Sequence, residues 1–182
     1  MWRSIRTALI EQRNQGKHHI TWSAFAKICT AKGLKEEVDQ MFLSRYLHRL
    51  GVIVHFCDDI NLRDFVILNP QWAVDAVYCV LLNDTVKEQN GQFSKQELDT
   101  FWVQYDFNER RNLLQLMLKD HFEVCYPIPQ TTHYIAPQLL NPTPPAYTWN
   151  SATTLKFRYQ YPFMPKGLIS RLTVRLHESI AK

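Results

Sequence analysis

The feature of the sequence that most constrains the fold is a pattern of elements that occurs twice. The first copy begins with HHITWSAFAKICTAKGL, where Thr21 has the position of a helix N-cap and Ile20 and Phe25 have the spacing of a hydrophobic staple. The second copy begins with NGQFSKQELDTFW, where Ser94 and Glu97 match a capping box. Each stretch therefore predicts the start of a short helix.

A second helix and a two-armed hairpin are predicted after each short helix. The second helix of the first copy has an apolar face formed by Leu43, Tyr46, Leu47 and Leu50. The hairpin arms are VIVHF and FVILN in the first copy, and FEVCYPI and THYIAPQ in the second. This repeated order predicts tandem winged-helix-like units with short β-hairpin wings. The alternative is two unrelated helix–hairpin segments.

Proline and glycine positions predict the division of the chain into segments. Pro70 has the position of a first helical residue, residues 83–91 resemble a polar linker, and NPTPPAYTWNSATT can form neither a helix nor a central strand. We therefore expect a first unit with its connecting helix at 1–90, a second unit at 91–140 and a Pro-rich linker at 141–154. The fold class that follows is α+β and mainly helical.

The last segment, 155–182, has a different character from the rest of the chain. Residues 155–161 alternate apolar and polar, which predicts a half-buried strand. Pro165 can open a helix in which Leu168, Leu172 and Leu176 stack. One strand and one helix are too few for a stable domain. We therefore expect the beginning of a second α/β subdomain, truncated at residue 182.

The distribution of charge argues against nucleic acid as a partner. The formal charge is +4, but Lys156–Lys182 contains six basic residues and one acidic residue, so residues 1–155 sum to −1. The first wing contains Asp58, Asp59 and Asp64 against one arginine, and such a wing would repel phosphate. Arg110 and Arg111 are the best argument for DNA.

The sequence contains no pattern that predicts catalysis or a cofactor. The five glycines lack P-loop spacing, and no G-x-S-x-G or H-E-x-x-H is present. His55 and Cys57 are two apart on a predicted strand, but a zinc site needs three or four placed ligands, so no metal is expected. The four separated cysteines indicate reduced, buried thiols in the cytosol. No apolar run is long enough to cross a membrane.

Two longer motifs carry a resemblance to a known family. The stretches LHRLGVIVHFCDD and DFVILNPQWAVDAVYCVL resemble the COR ("C-terminal of Roc") domain of Roco proteins, which are related to leucine-rich-repeat kinases. YQYPFMPKGLISRLTVRLH resembles the start of the second half of that domain. The resemblance covers essentially the whole chain. It implies a Ras-like Roc GTPase domain directly before COR, leucine-rich repeats upstream in many members, and a downstream kinase in some.

The resemblance implies a non-catalytic signalling module in the cytoplasm. Such a module packs on Roc in cis, contributes to a homodimer, and couples the nucleotide state of Roc to neighbouring domains. The GTPase activity of the parent protein would reside in Roc. The residues that match the Roc-facing part of the family's domain are Asp64, Phe65 and Val66, of which one of the last two is expected to face outward.

A structural motif in the second half of the domain is also implied. Its residues are Phe163, which is expected to anchor a turn, Pro165, Gly167, and Arg171, which is expected on the polar side of the helix. The competing interpretation of the whole chain is a transcription regulator that binds DNA through tandem winged helices.

Overall fold

The computed structural model of the chain describes residues 1–118, 120–143, 158–163, 165 and 167–179. Eight α-helices are present in these ranges: α1 (Trp2–Asn14), α2 (Trp22–Ala31), α3 (Glu37–Arg49), α4 (Pro70–Leu81), α5 (Asp84–Glu88), α6 (Lys95–Phe101), α7 (Phe107–Met117) and α8 (Leu168–Leu176). The described strands are β1 (His19–Thr21), β2 (Phe65–Ile67), β3 (Gln92–Ser94), β4 (Tyr126–Pro127) and β5 (His133–Ile135). The predicted mainly helical α+β class is confirmed.

The chain forms two compact units, each assembled from separate stretches of sequence. Unit 1 comprises Met1–Val80 and Asp99–Leu116, and unit 2 comprises Leu81–Leu98 and Met117–Lys182. The division into segments at 1–90, 91–140, 141–154 and 155–182 stays a prediction.

The starts of α2, α4 and α6 that the sequence predicts are confirmed. The Thr21 hydroxyl accepts a hydrogen bond from the backbone N–H of Ala24 at 3.2 Å, which caps α2. Ser94 and Glu97 form the reciprocal capping box of α6, with bonds of 3.1 Å and 2.6 Å. Gly51, which follows α3, has a φ of +67°, and Pro70 is the first residue of α4. These local signals succeed because each bond spans only three or four residues.

In unit 1, the hairpin differs from its prediction. β2 pairs antiparallel with β1, from His19 opposite Ile67 to Thr21 opposite Phe65. The predicted first arm, VIVHF, contributes only the single bridge between Val54 and Ile67. β1, which we did not predict, lies along the other edge of β2 and makes the regular ladder with it.

The core of unit 1 combines apolar residues from α1, α2, α3 and β2. The buried cluster consists of Ile5, Leu9, Ile20, Phe25, Cys29, Leu34, Leu43, Leu47, Ile53, Val66 and Leu68. It includes Ile20 and Phe25, so the predicted hydrophobic staple is confirmed as shared burial. The indole N–H of Trp102 donates to the carbonyl of Ala76 at 2.9 Å, which ties the 99–116 stretch to α4 inside this unit.

Unit 2 contains a three-stranded antiparallel sheet in the order β3–β5–β4. The predicted hairpin of the second copy is confirmed as β4 and β5, and β3 is an additional strand. Residues 83–91 were expected to be a polar linker, and this expectation is wrong. Asn83 accepts a hydrogen bond from Thr85 and starts α5, and the fully buried side chain of Val86 fixes that helix to the unit.

Gly91 marks the tightest backbone approach in unit 2. Its φ is +83°, and a Cβ at this position would lie 2.5 Å from the carbonyl oxygen of Ala136. The same two residues are joined by a hydrogen bond of 2.9 Å from the Ala136 N–H to the Gly91 carbonyl. Only glycine satisfies both the left-handed conformation and the close contact.

The last segment agrees only in part with its prediction. The strand expected at 155–161 lies partly outside the described residues, and residues 158–161 are in no strand. The Pro-rich linker lies outside them from residue 144 onward. The helix begins at Leu168 rather than at Pro165, because Gly167 precedes it in a left-handed turn with φ +79°. Leu172 and Leu176, which were expected to stack along the helix, are each 48% exposed.

Cysteine exposure also departs from the prediction. All four cysteines are free: Cys29 and Cys125 are buried, Cys57 is half-buried and Cys79 is exposed. Burial raises the pKa of the Cys29 thiol to about 11. Exposure of Cys79 contradicts the expectation that all four are buried, because this position of α4 faces away from the apolar face of the helix.

Among the described helices, none combines the length and apolarity that a membrane crossing requires.

Candidate interface sites

The first candidate site surrounds Asp64, at the start of β2 in unit 1. A cleft of about 540 Å³ opens here, and its walls include Trp22, Glu37, His55 and Asp64. The exposed carboxylate of Asp64 accepts a hydrogen bond of 2.9 Å from the backbone N–H of Trp22, the first residue of α2. Asp64 therefore joins the loop to a helix N-terminus, where a negative charge is stabilised.

His55 anchors the loop that borders this cleft. Its Nε2 donates to the carbonyl of Arg63 at 2.8 Å, and the Ser44 hydroxyl donates to its Nδ1 at 2.5 Å. Trp22 stacks on the ring at 5.3 Å. Burial lowers the pKa of His55, so the imidazole is neutral at pH 7, which fits this pair of hydrogen bonds.

Cys57 has a structural contact of its own. Arg45 donates one hydrogen bond to the Cys57 sulfur at 3.2 Å and another to the Asp58 carboxylate at 2.7 Å. His55 and Cys57 thus both serve the loop. In the part of the chain that the structure describes, no group of three or more His, Cys, Asp or Glu residues is arranged to hold a metal ion.

The other two residues of the implied Roc-facing segment are buried. Phe65 is 7% exposed and Val66 is fully buried, so the expectation that one of them faces outward is wrong. Val66 packs in the core cluster of unit 1, whereas the Phe65 ring lies 4.7 Å from the ring of His19. Both faces of β2 are therefore covered. The role of Asp64, Phe65 and Val66 as a Roc interface stays a prediction.

A cluster of rings covers the second face of β2, and sequence reasoning missed it. Trp72 lies at its centre, with ring contacts to His18 at 5.5 Å and to Tyr105 at 5.4 Å. His19 also makes a hydrogen bond of 2.8 Å with the carboxylate of Glu109. The sequence signal that could have indicated the Glu109 contact is a second capping box, formed by Asp106 and Glu109. It starts α7 and orients the Glu109 carboxylate.

The second candidate site is a buried carboxylate in unit 2. The Glu123 side chain is only 3% exposed, and both of its oxygens accept hydrogen bonds from α8, one from Arg171 and one from Arg175. Burial alone would raise the pKa of Glu123, but the two guanidinium groups outweigh burial and lower it. Glu123 therefore stays ionised and holds α8 to the unit.

The backbone at Glu123 supports this role. Its φ is +55°, a left-handed conformation that strongly favours glycine or asparagine. Keeping a glutamate there costs roughly 1 kcal/mol or more, so its side chain must offset that cost. Two further contacts fix α8: Val174 is fully buried, and the ring of His177 stacks on Tyr126 at 4.8 Å. We name Glu123, Arg171 and Arg175 the carboxylate clamp.

The structure brings together only part of the motif that the family resemblance implies in the second half of the domain. Arg171 lies on the polar side of α8, as expected, and its partner is Glu123. Gly167 precedes α8, and Pro165 is exposed three residues before it. Phe163 is 77% exposed, so the described residues provide no packing for its expected role as an anchor of the turn.

The best argument for DNA binding is weakened by the structure. The Arg110 side chain donates to the carbonyls of Trp102 and Tyr105 and to the Asp99 carboxylate, at 3.0, 2.8 and 3.1 Å. Arg111 is exposed. Arg110 is therefore engaged by its own unit and is not presented to phosphates.

Comparison with known proteins defines the class of the chain. Residues 1–140 match the family model described as C-terminal of Roc, COR-A domain, and residues 152–182 match the C-terminal of Roc, COR-B domain. The chain therefore contains the COR region of a Roco protein, and it belongs to the COR family.

The relatives agree with this assignment. A Roc-COR-CHAT protease of Runella zeae is 31% identical over 98% of this chain and 19% of the relative. The probable serine/threonine-protein kinase pats1 of Dictyostelium discoideum is 29% identical over 86% of this chain and 5% of the relative. The chain thus spans a fifth or less of these curated relatives, and neither name supports DNA-binding regulation.

A solved structure provides the comparison in three dimensions. It is the RocCORdC region of Roco2 from Methanosarcina barkeri bound to GDP. The TM-score is 0.65 and the identity 29%, with 76% of this chain and 43% of that chain covered.

Proposed function

We propose that this chain is the non-catalytic COR module of a cytoplasmic Roco signalling protein. It packs on an adjacent Roc GTPase domain in cis and couples the nucleotide state of Roc to dimerisation and to neighbouring domains. The observation that carries this proposal is the COR-A match of residues 1–140, since the family is described by its position C-terminal to Roc. The GDP-bound RocCOR relative supports it.

The coupling has a simple physical requirement. A GTPase switch region changes shape with its nucleotide, and a neighbouring module transmits that change only if it binds the two shapes with different free energies. We propose that the two helix–hairpin copies are winged-helix-like and act as a rigid lever.

The surface that contacts Roc is centred on Asp64. Its carboxylate is exposed beside the cleft, whereas the buried side chains of Phe65 and Val66 hold β2 and so fix where Asp64 lies. A Roc side chain with a hydrogen-bond donor or positive charge would complete the remaining acceptor sites of this carboxylate.

The carboxylate clamp transmits the signal onward. Glu123 belongs to the COR-A match, and Arg171 and Arg175 belong to the COR-B match. The clamp is therefore a rigid joint between the two halves of the domain inside unit 2. In this proposal, Phe163, Pro165 and Gly167 shape the turn that leads into α8.

The test is the affinity of Roc for residues 1–182 in each nucleotide state. The Roc domain of the same polypeptide, loaded with GDP or with a non-hydrolysable GTP analogue, is titrated by calorimetry. We expect dissociation constants that differ by about fivefold or more between the two states. Equal affinities would rule out coupling.

The proposed contact is tested with a conservative substitution. Asp64→Asn retains an acceptor for the Trp22 N–H but removes the charge, and should weaken Roc binding about tenfold. Asp75→Asn on α4, which is also exposed, is the matched control and should bind like the wild type. If the two variants bind equally well, Asp64 is not at the interface.

A further inference from the structure

The loop that joins α3 to β2, residues 50–64, is held to α3 by a histidine. The Nδ1 atom of His48 accepts a hydrogen bond of 3.2 Å from the backbone N–H of His55. The ring of Phe56 lies edge-on to the same imidazole, with ring centroids 5.2 Å apart. A backbone N–H only donates, so Nδ1 of His48 carries no proton while this bond is present. The hydrogen bond therefore exists in one protonation state of His48 and not in the other.

The bond at His48 is the first of three that lead to Asp64. Nε2 of His55 donates to the carbonyl of Arg63, the residue before Asp64, at 2.8 Å. The Asp64 carboxylate accepts from the backbone N–H of Trp22 at 2.9 Å. His48 thus fixes His55, and His55 fixes the backbone beside the carboxylate that the proposed Roc contact uses.

The two histidines differ in how their hydrogen bonds respond to a proton. A protonated Nδ1 of His48 would direct an N–H at the N–H of His55, and neither group accepts, so the bond is lost. Nδ1 of His55 faces the hydroxyl of Ser44 at 2.5 Å, and a hydroxyl can rotate and accept instead of donating. His48 is therefore the position at which a proton removes a contact of the loop.

The surroundings of the two rings keep both of them neutral at pH 7. Burial lowers the pKa of His48 below its ordinary value of 6.5, and the charge of Arg49 lowers it further. Burial also lowers the pKa of His55, against the opposing effect of the Arg63 carbonyl. The other titratable or charged groups around the rings are Glu37 and Arg45 of α3 and Cys57, Asp58, Arg63 and Asp64 of the loop.

We propose that His48 is a proton-sensitive latch, which fixes the 50–64 loop while Nδ1 is unprotonated and releases the loop, and with it Asp64, when Nδ1 takes up a proton. Ile53 and Leu62, each 1% exposed, keep both ends of the loop packed, so release displaces Asp64 without unfolding unit 1. This inference deepens the proposed function and rests on it, since it assigns a regulation to the Roc contact at Asp64.

The size of the effect follows from proton linkage. A released His48 takes up a proton with the ordinary pKa of about 6.5, whereas the latched ring takes it up only at lower pH. The latch is therefore complete above pH 6.5 and is lost as the pH falls below it. Between pH 7.5 and pH 5.5, His48 alone should raise the equilibrium constant for release about tenfold.

The first test is hydrogen exchange of the His55 amide from pH 7.5 to 5.5, with each rate divided by the intrinsic rate at that pH. We expect the corrected rate of the wild type to rise about tenfold or more on acidification. The amide of Gly91, which donates to the Val86 carbonyl in unit 2, is the internal control and should not change. No rise at His55 relative to Gly91 would overturn the inference.

Two variants of His48 separate the proton from the loss of a side chain. His48→Asn retains an acceptor in the place of Nδ1 but takes up no proton, so its rise on acidification should be about tenfold smaller than that of the wild type. His48→Gln has its acceptor in the place of Nε2, so the His55 amide should already exchange faster at pH 7.5. Circular dichroism confirms that both variants are folded. A rise in His48→Asn equal to that of the wild type would overturn the inference.

The consequence for binding is tested by calorimetry with GDP-loaded Roc at pH 7.5 and pH 5.5. The same Roc domain is titrated with the wild type and with His48→Asn, so that titration of Roc itself cancels in the ratio of the two dissociation constants. We expect a ratio of one at pH 7.5, and binding of the wild type about twofold or more weaker than that of His48→Asn at pH 5.5. A ratio of one at both pH values would overturn the regulation of the Roc contact.

The outcomes distinguish this inference from the proposed function. Nucleotide-dependent Roc binding, with equal pH responses of the wild type and His48→Asn, overturns the latch and leaves the Roc proposal intact. Equal affinity for the two nucleotide states of Roc, with the expected difference between the two chains at pH 5.5, overturns the coupling and supports the latch.

Discussion

The carboxylate clamp makes the sharpest quantitative prediction. Removal of both guanidinium groups, in Arg171→Ala/Arg175→Ala, takes both charged partners from the Glu123 carboxylate, whose side chain is 3% exposed in the wild type. An uncompensated buried charge of this kind costs about 3 to 5 kcal/mol. Each single arginine variant should cost only about 1 kcal/mol, because the second arginine remains and both arginines are more than 60% exposed.

The diagnostic variant is a triple substitution. Adding Glu123→Gln to the double arginine variant removes the buried charge, so about 2 kcal/mol of the loss should return. Urea unfolding gives the free energy of unfolding, and hydrogen exchange of the amides of 168–176 localises the change to α8. If the triple variant is no more stable than the double variant, the charge of Glu123 is not what the arginines compensate.

The pH dependence of the clamp follows from the lowered pKa of Glu123. In the wild type the stabilisation is complete above the ordinary glutamate pKa of 4.5, and it is lost as the pH falls through the lower folded-state pKa. In the double arginine variant, burial is no longer opposed, so the carboxyl takes up a proton at higher pH. The difference in the free energy of unfolding between the wild type and that variant should therefore become smaller as the pH falls.

Three further predictions concern single residues. Gly91→Ala should lower the free energy of unfolding, measured in urea, by about 3 kcal/mol, because its Cβ would lie 2.5 Å from a carbonyl oxygen. Gly16 has a φ of +89° but open space around it, so Gly16→Ala should lower the same free energy by only about 1 kcal/mol. Burial lowers the pKa of His55, so the free energy of unfolding should fall as the pH drops below 6.5. His55→Asn should make this fall smaller when unfolding is measured from pH 7.5 to about 5. Ser94→Ala should cost about 1 kcal/mol of thermal stability through loss of the α6 cap; an unchanged melting temperature would contradict the capping role.

The predicted site residues illustrate where sequence reasoning stops. Period-two alternation holds, since Phe65 and Val66 lie on opposite faces of β2, but neither face is exposed, because a ring cluster from other parts of unit 1 covers the second one. The expected role of Phe163 as an anchor of the turn stays a prediction, since the described residues place no packing partner against it. Both outcomes depend on neighbours that are distant in sequence.

The sequence by itself determined the caps that start α2 and α6, the mainly helical class and the family. Each of these is recorded within a few adjacent residues, as in the Ser94–Glu97 capping box, or within a continuous motif. Only the tertiary structure decided that residues 19–21 form a strand with 65–67, and that Glu123 meets two arginines 48 and 52 residues away. Such partners have no fixed spacing, because they are selected by which faces meet when the apolar surfaces are buried.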